Sequence, residues 1–178
     1  MYKKIKAAFF DRDGTLIKDV SYLSDVKQIE VLPGIIKFCL FLQSLGYKLF
    51  VITNQSGVAR GYFDEQFVEK THQYLFDIFK KKGIVFEKFY YCPHHPIDAV
   101  IKKFLINCSC RKPKPGLLLK AAEEFNIDLK SSLMFGDRSV DIDTGNTVGC
   151  KSFYIKNFII NNFNKIEFEK MICKKGSL

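Results

Sequence analysis

The sequence lacks the features of several classes of protein. No stretch approaches the roughly 20 apolar residues of a membrane helix, so no membrane partner is expected. There is no internal repeat, and with 5 prolines and 11 glycines among 178 residues no linker divides the chain. One domain covering residues 1–178, acting as a monomer, is the expectation, and this length can bury a full core. The apolar run that follows the basic start ends at Asp11, too early for the core of a signal peptide, and a cytoplasmic location is expected.

Acids are also scarce, 19 against 28 basic residues, giving a formal charge of +9. That balance favours anionic partners, whether nucleic acid, a membrane surface or phosphorylated small molecules, without choosing among them. The 47% hydrophobic content and 18 phenylalanines exclude disorder. In a reducing compartment the cysteines Cys39, Cys92, Cys108, Cys110, Cys150 and Cys173 are not expected to form disulfides. Cys39 and Cys150 fall on apolar elements and read as core; the clustering of Cys92, Cys108 and Cys110 points to a metal.

Along the chain, short apolar runs alternate with helical patterns. Strands are expected at Ala7–Phe10, Tyr47–Ile52, Ile84–Tyr91, Ser132–Phe135 and Lys151–Ile155. Between them lie helices Ile35–Leu45, opened by Pro33-Gly34 and stopped by Gly46; Asp64 to about Lys82; Leu117–Phe125; and Asp141–Val148. In the second helix the apolar face is read as Phe67, Thr71, Tyr74, Leu75 and Ile78. A last helix is expected at Lys165–Ile172. Strands alternating with helices imply right-handed crossovers and an α/β fold with a doubly wound parallel sheet. The segments between strands leave no room for a large cap domain.

Three strands end in polar residues: Asp11 and Asp13, then Thr53 and Asn54, then Asp137. In a parallel sheet these ends share one edge, where ligands bind. Several carboxylates there need a compensating cation, and hard oxygen ligands suit Mg²⁺. Asp11 can act as a nucleophile toward phosphorus. Asp13, two residues on, can protonate a leaving alkoxide and then activate water. Thr53 offers a hydroxyl, and the cation for the developing charge comes from Arg111, Lys112 or Lys114.

The motifs Phe-Asp-Arg-Asp-Gly-Thr, Ile-Thr-Asn, Arg-Lys-Pro and Gly-Asp-Arg-Ser-Val-Asp resemble those of haloacid dehalogenase superfamily phosphatases, from about residue 7 to residue 155. The resemblance implies a Rossmann-like core. It also implies Asp11 as nucleophile, Asp13 as acid/base, and Thr53 and Lys112 as phosphoryl stabilisers. Magnesium would be held by Asp11, the Asp13 backbone carbonyl and Asp137, with Asp141 further out.

The long segment at 92–116 carries Cys92-x-His94 and Cys108-x-Cys110, the four ligands of a closed structural Zn²⁺ site, with His95 an alternative to His94. With Asn-Gln-Ser-Gly-x-Ala-Arg-Gly-Tyr-Phe at 54–63, this segment is similar to that of the heptose 1,7-bisphosphate 7-phosphatase family. That likeness implies a sugar bisphosphate substrate in the biosynthesis of nucleotide-activated heptose. It further implies substrate contacts at Arg12, Asp19, Val20, Ser21, Tyr22, Asn54, Gln55, Ser56, Arg111 and Arg138. The alternatives are a zinc-containing histidinol-phosphate phosphatase, whose relatives generally lack the 57–63 stretch, and a nucleic-acid-binding zinc protein. Scattered basic residues speak against the second, and no nucleic-acid partner is expected.

Overall fold

The structure, a computed structural model, describes residues 4–159 and 165–173. Strands β1 (Ala7–Phe10), β2 (Lys48–Asn54), β3 (Phe86–Cys92), β4 (Leu133–Gly136) and β5 (Lys151–Tyr154) form one sheet in the order β3-β2-β1-β4-β5. All four pairings are parallel. The chain winds outward from β1 to β3, then returns to the other side of β1 for β4 and β5. The order therefore reverses between β1 and β4, where an open α/β sheet leaves a crevice beyond its carboxyl ends.

The period-two alternation of the strands sorts their side chains onto two faces. Ala8 and Phe10, Leu49 and Val51, and Leu133 and Phe135 face one core layer. Helices α1 (Ile35–Ser44) and α2 (Glu65–Lys81) cover that layer. Ala7, Phe9, Phe50, Ile52 and Met134 face the other, which is closed by α3 (Gly116–Phe125). Helix α4 (Ser139–Thr147) packs on β4 and β5. No large cap domain interrupts this arrangement. Among the described residues, no helix is long and apolar enough to cross a membrane.

Asp64 caps α2 by accepting from the Phe67 amide at 2.8 Å. The buried stripe of this helix is Val68, Thr71, His72, Leu75 and Phe79, a phase shifted from the expected one. Tyr74 is exposed and Phe67 and Ile78 are only partly covered. His72 is buried instead because its ring packs on Phe89 and Tyr91, with centroids 5.1 and 5.7 Å away. Cys39 and Cys150 are both core residues.

After β5 come α5 (Lys156–Ile159), a turn of helix absent from the sequence reading, and α6 (Lys165–Cys173). Their Phe158 and Phe168 join Phe38 and Phe135 in an aromatic cluster, with Phe38 to Phe158 at 5.3 Å and Phe38 to Phe135 at 5.0 Å. Phe158 and Phe168 thus close the first core layer. Residues 1–3, 160–164 and 174–178, part of the expected single domain, lie outside the described residues.

Candidate active site

Each polar element of the site sits at a strand end because the apolar run before it is consumed by the core. Asp11 follows Phe10, and its amide donates to the Phe135 carbonyl at 2.9 Å, pinning the end of β1 to β4. Thr53 and Asn54 close β2, and Asp137 follows Gly136 at the end of β4. The three neighbouring strands β2, β1 and β4 therefore bring these residues to the switch point.

Lys112 is the cation at the centre. Its side chain is 1% exposed, and Nζ donates to Asp11 Oδ1 at 2.7 Å, Asp141 Oδ1 at 2.5 Å and the Ile52 carbonyl at 2.9 Å. All three ammonium donors are used. Burial alone would lower the lysine pKa, but the Asp11 and Asp141 carboxylates more than offset it and hold the value above the ordinary one. The backbone on either side is fixed by Asn54, whose Nδ2 donates to the Lys112 carbonyl while its Oδ1 accepts from the Lys112 amide. Lys114, the rival cation in the sequence, lies outside the site, and its Nζ donates to Asn107.

Asp141 is held from both sides, by Lys112 on one oxygen and by the Arg138 amide on the other at 3.1 Å. Burial raises its pKa against the opposing effect of Lys112. Asp11 Oδ2 and Asp137 Oδ1 are buried oxygens with no hydrogen-bond partner. Burial and the nearby Asp11 push the Asp137 carboxyl up to about 6, against the partial relief of Arg138. Carboxylate oxygens of Asp11, Asp137 and Asp141 come within 4.8 Å of one another. Two orphaned carboxylate oxygens in a cluster with one buried lysine form a donor set that fits a hard divalent cation. Gly14, at φ +75°, leaves space for the Asp137 carboxylate: a Cβ there would meet Asp137 Oδ2 at 2.5 Å. The Asp13 carboxylate lies outside this cluster, so any part Asp13 takes in holding a metal goes through its backbone.

Asp13 is instead gripped by its neighbours. Arg12 Nε donates to both carboxylate oxygens at 3.1 and 3.2 Å, and Gln55 Nε2 donates to Oδ2 at 2.8 Å. Gln55 also donates to Thr53 Oγ1 at 2.9 Å and accepts from Arg12 Nη2 at 2.8 Å. Much of the hydrogen-bonding capacity of Arg12 and Gln55 is thus used inside the site.

Above these residues opens a cavity of about 570 Å³. Arg12, Asp13, Asp19, Ser21, Tyr22, Asn54, Gln55, Ser56, Arg111, Lys112 and Arg138 line it. Val20 does not. Leu23, Phe63, Ser139 and Val140 also line it and were not read from the sequence. Leu23 and Phe63 supply apolar walls; Phe63 closes the 54–63 motif, whereas Leu23 lies in a loop with no periodic pattern or motif to mark it.

Beside the cavity the four sequence-picked ligands converge. Cys110 Sγ is 3.2 Å from Cys92 Sγ and 3.1 Å from Cys108 Sγ, and His94 Nδ1 is 3.4 Å from Cys110 Sγ. All four ligand atoms lie within 4.8 Å of one another, so the cluster could hold a metal ion. Hydrogen bonds from Cys92, Cys108 and His94 outweigh burial and bring the Cys110 thiol down to about 5, toward the thiolate a metal requires. His95 is not part of the cluster; its Nδ1 accepts from the Asp98 amide at 2.8 Å. Arg111 joins the two centres, lining the cavity while its Nη1 donates to the His94 carbonyl.

A doubly wound sheet with a carboxylate-bearing strand end, a buried lysine and a cluster of three acids is the arrangement of a class of hydrolase. The haloacid dehalogenase-like hydrolase family matches residues 19–149, and the chain belongs to that family. It is 39% identical over 157 residues to the D-glycero-alpha-D-manno-heptose-1,7-bisphosphate 7-phosphatase of Photorhabdus laumondii, covering 87% of this chain and 85% of that one. It is 43% identical over 141 residues to the D-glycero-beta-D-manno-heptose-1,7-bisphosphate 7-phosphatase of Helicobacter pylori, covering 79% and 77%. Among solved structures it is similar to D,D-heptose 1,7-bisphosphate phosphatase from B. bronchiseptica complexed with magnesium and phosphate. That match has a TM-score of 0.75 and 26% identity, and covers 90% of this chain and 89% of the other. The chain is a phosphomonoester hydrolase.

Proposed function

We propose that this chain is a magnesium-dependent phosphatase removing the 7-phosphate of D-glycero-D-manno-heptose 1,7-bisphosphate through a phosphoaspartyl intermediate on Asp11. One observation carries the reading: Asp11 has one oxygen fixed by Lys112 and the other buried and unpartnered, beside Arg12, Asp13 and Lys112, which line a cavity rimmed by Arg111 and Arg138. Oδ2 of Asp11 attacks phosphorus, and the bond from phosphorus to the sugar oxygen breaks. Asp13, oriented by Arg12 and Gln55, gives its proton to that oxygen. As a carboxylate it then takes a proton from water, which attacks phosphorus, breaks the bond to Asp11 and releases phosphate. Thr53 and Lys112 stabilise the phosphoryl oxygens, and Asp141 positions Lys112. Magnesium, held by Asp11, Asp137 and the Asp13 backbone carbonyl, would supply positive charge to neutralise the phosphoryl group.

The substrate-contact set is Arg12, Asp19, Val20, Ser21, Tyr22, Asn54, Gln55, Ser56, Arg111 and Arg138, of which all but Val20 line the cavity. The Cys92, His94, Cys108 and Cys110 cluster is a structural Zn²⁺ site. The enzyme is a cytoplasmic monomer acting in the biosynthesis of nucleotide-activated heptose for lipopolysaccharide or another surface glycan. The relatives carry names for both anomers at similar identity, so overall likeness does not favour one.

The test is a substrate panel: both anomers of the heptose bisphosphate, histidinol phosphate and fructose 1,6-bisphosphate. The highest kcat/KM is expected on one heptose anomer. Faster turnover of histidinol phosphate would overturn the assignment.

A further inference from the structure

Asp19, Ser21, Tyr22 and Leu23 form one wall of the cavity, on a turn of costly conformation. Ser21 and Tyr22 have φ of 47° and 74°, two successive side-chain-bearing residues in the left-handed region. Such a turn persists only where surrounding contacts over-determine it. Asp19 Oδ1 accepts from the Ser21 amide at 3.0 Å, a contact within the turn itself. The contacts from outside it come from the segment after β2. Arg60 Nη1 donates to the Tyr22 hydroxyl at 2.8 Å, and the Tyr62 ring meets the Tyr22 ring edge-on with centroids 4.5 Å apart. Neither Arg60 nor Tyr62 lines the cavity.

The other end of Arg60 reaches the metal-binding segment. Its Nη2 donates to Asp98 Oδ2 at 3.1 Å and lies 3.4 Å from His95 Nε2. His95 follows His94 of the Cys/His cluster, and its Nδ1 accepts from the Asp98 amide. The adjoining Ala59 carbonyl accepts from the amides of Val100 and Ile101, at 2.9 and 3.0 Å. One guanidinium therefore spans the turn that carries Tyr22 and the loop that carries the cluster.

We propose that Arg60 is a positioning residue for substrate recognition, clasping Tyr22 to the 92–110 loop. Through it, the Cys/His loop sets the mouth of the pocket as well as stabilising the fold. This rests on the phosphatase reading above and extends it to the source of specificity. The clasp acts on the part of the substrate remote from the transferred phosphate, so it governs KM for a large substrate and leaves the chemistry alone.

The experiment compares wild type, Arg60→Ala, Tyr22→Phe and the double variant on heptose 1,7-bisphosphate and on p-nitrophenyl phosphate, which has no sugar. Arg60→Ala is expected to raise KM for the bisphosphate about tenfold, with kcat within about twofold and both parameters on p-nitrophenyl phosphate within about twofold. The double variant is expected to be no worse than Arg60→Ala alone, because Tyr22 is already released. Unchanged KM, or an equal loss of kcat on both substrates, would overturn the clasp. Should Arg60→Ala fail to fold, Asp98→Asn at an exposed carboxylate is expected to raise KM about threefold with an unchanged melting temperature, and an unchanged KM there is equally fatal. If wild type turns over the bisphosphate no better than p-nitrophenyl phosphate, the substrate assignment fails. The clasp is then judged by the same KM comparison on the best substrate of the panel.

Discussion

Replacing Lys112 with Met keeps the length of the stem and removes the one cation that Asp11 and Asp141 share. Three hydrogen bonds go, two of them to carboxylates, and two nearly inaccessible acids lose their counter-charge. Removing one partner of a buried ion pair costs about 3–5 kcal/mol, because the remaining charge stays desolvated. For a chain of this size that lowers Tm by about 6–20 °C. Phosphate release should fall by at least about 10²–10³, the usual cost of one donor to a developing oxyanion.

The pH dependence separates lost charge from lost packing. In the wild type the folded pKa of Lys112 is raised, so its contribution is fully present at neutral pH and is lost only as pH climbs above the ordinary lysine value of 10.5. In Lys112→Met, Asp141 keeps the upward push of burial without the opposing lysine. A carboxyl with a raised folded pKa binds more protons folded than unfolded, so stability falls as pH rises from the ordinary carboxylate value of 3.8 toward neutrality. The gap between wild type and variant, measured by urea denaturation, should narrow as pH is lowered from 7 toward 4. A gap that is constant with pH, or a variant as stable as wild type at pH 7, would refute the charge argument.

Three further outcomes follow from the packing and the metal clusters. Gly14→Ala forces a Cβ against Asp137 Oδ2 at φ +75°. It should cost about 1–2 kcal/mol of stability in urea unfolding and raise the Mg²⁺ concentration for half-maximal activity about 10–100-fold. Phe135→Ala empties a site packed by Phe10, Phe38 and Phe158; calorimetry should show about 3–5 kcal/mol lost. Stripping the Cys/His cluster with a strong chelator should lower the melting temperature with little effect on kcat of the protein that stays folded. Activity loss at an unchanged melting temperature would contradict a structural metal.

The central strands β1, β2 and β4 were legible because each is an apolar run cut short by polar residues, and the core clusters follow their alternation. The helices were legible through Asp64, Pro33-Gly34 and Gly46, but the phase of α2 was not. Phe67 and Tyr74 are apolar enough to read as core yet lie toward the surface, while His72 is buried through ring contacts that no hydropathy pattern records. The strand-end acids could be read as a group because topology alone brings them to one edge. Which cation meets them could not be read from charge, since Lys112 and Lys114 are two residues apart; the Arg-Lys-Pro resemblance pointed to Lys112, which is buried against the acids while Lys114 is exposed. The clasp through Arg60 depends on a turn of left-handed backbone at Ser21 and Tyr22, a conformation these residue types do not announce.

The nucleophilic role of Asp11 can be tested by trapping. Asp13→Asn should form the phosphoaspartate from an aryl phosphate, whose leaving group needs no proton from Asp13, and hydrolyse it slowly, since the group that activates water is gone. Acid-quenched Asp13→Asn enzyme, incubated with Mg²⁺ and radiolabelled p-nitrophenyl phosphate, should yield label on the peptide containing Asp11, released by hydroxylamine. Asp11→Asn should carry no label and release no phosphate. Label on another residue, or full phosphate release by Asp11→Asn, would contradict nucleophilic attack by Asp11.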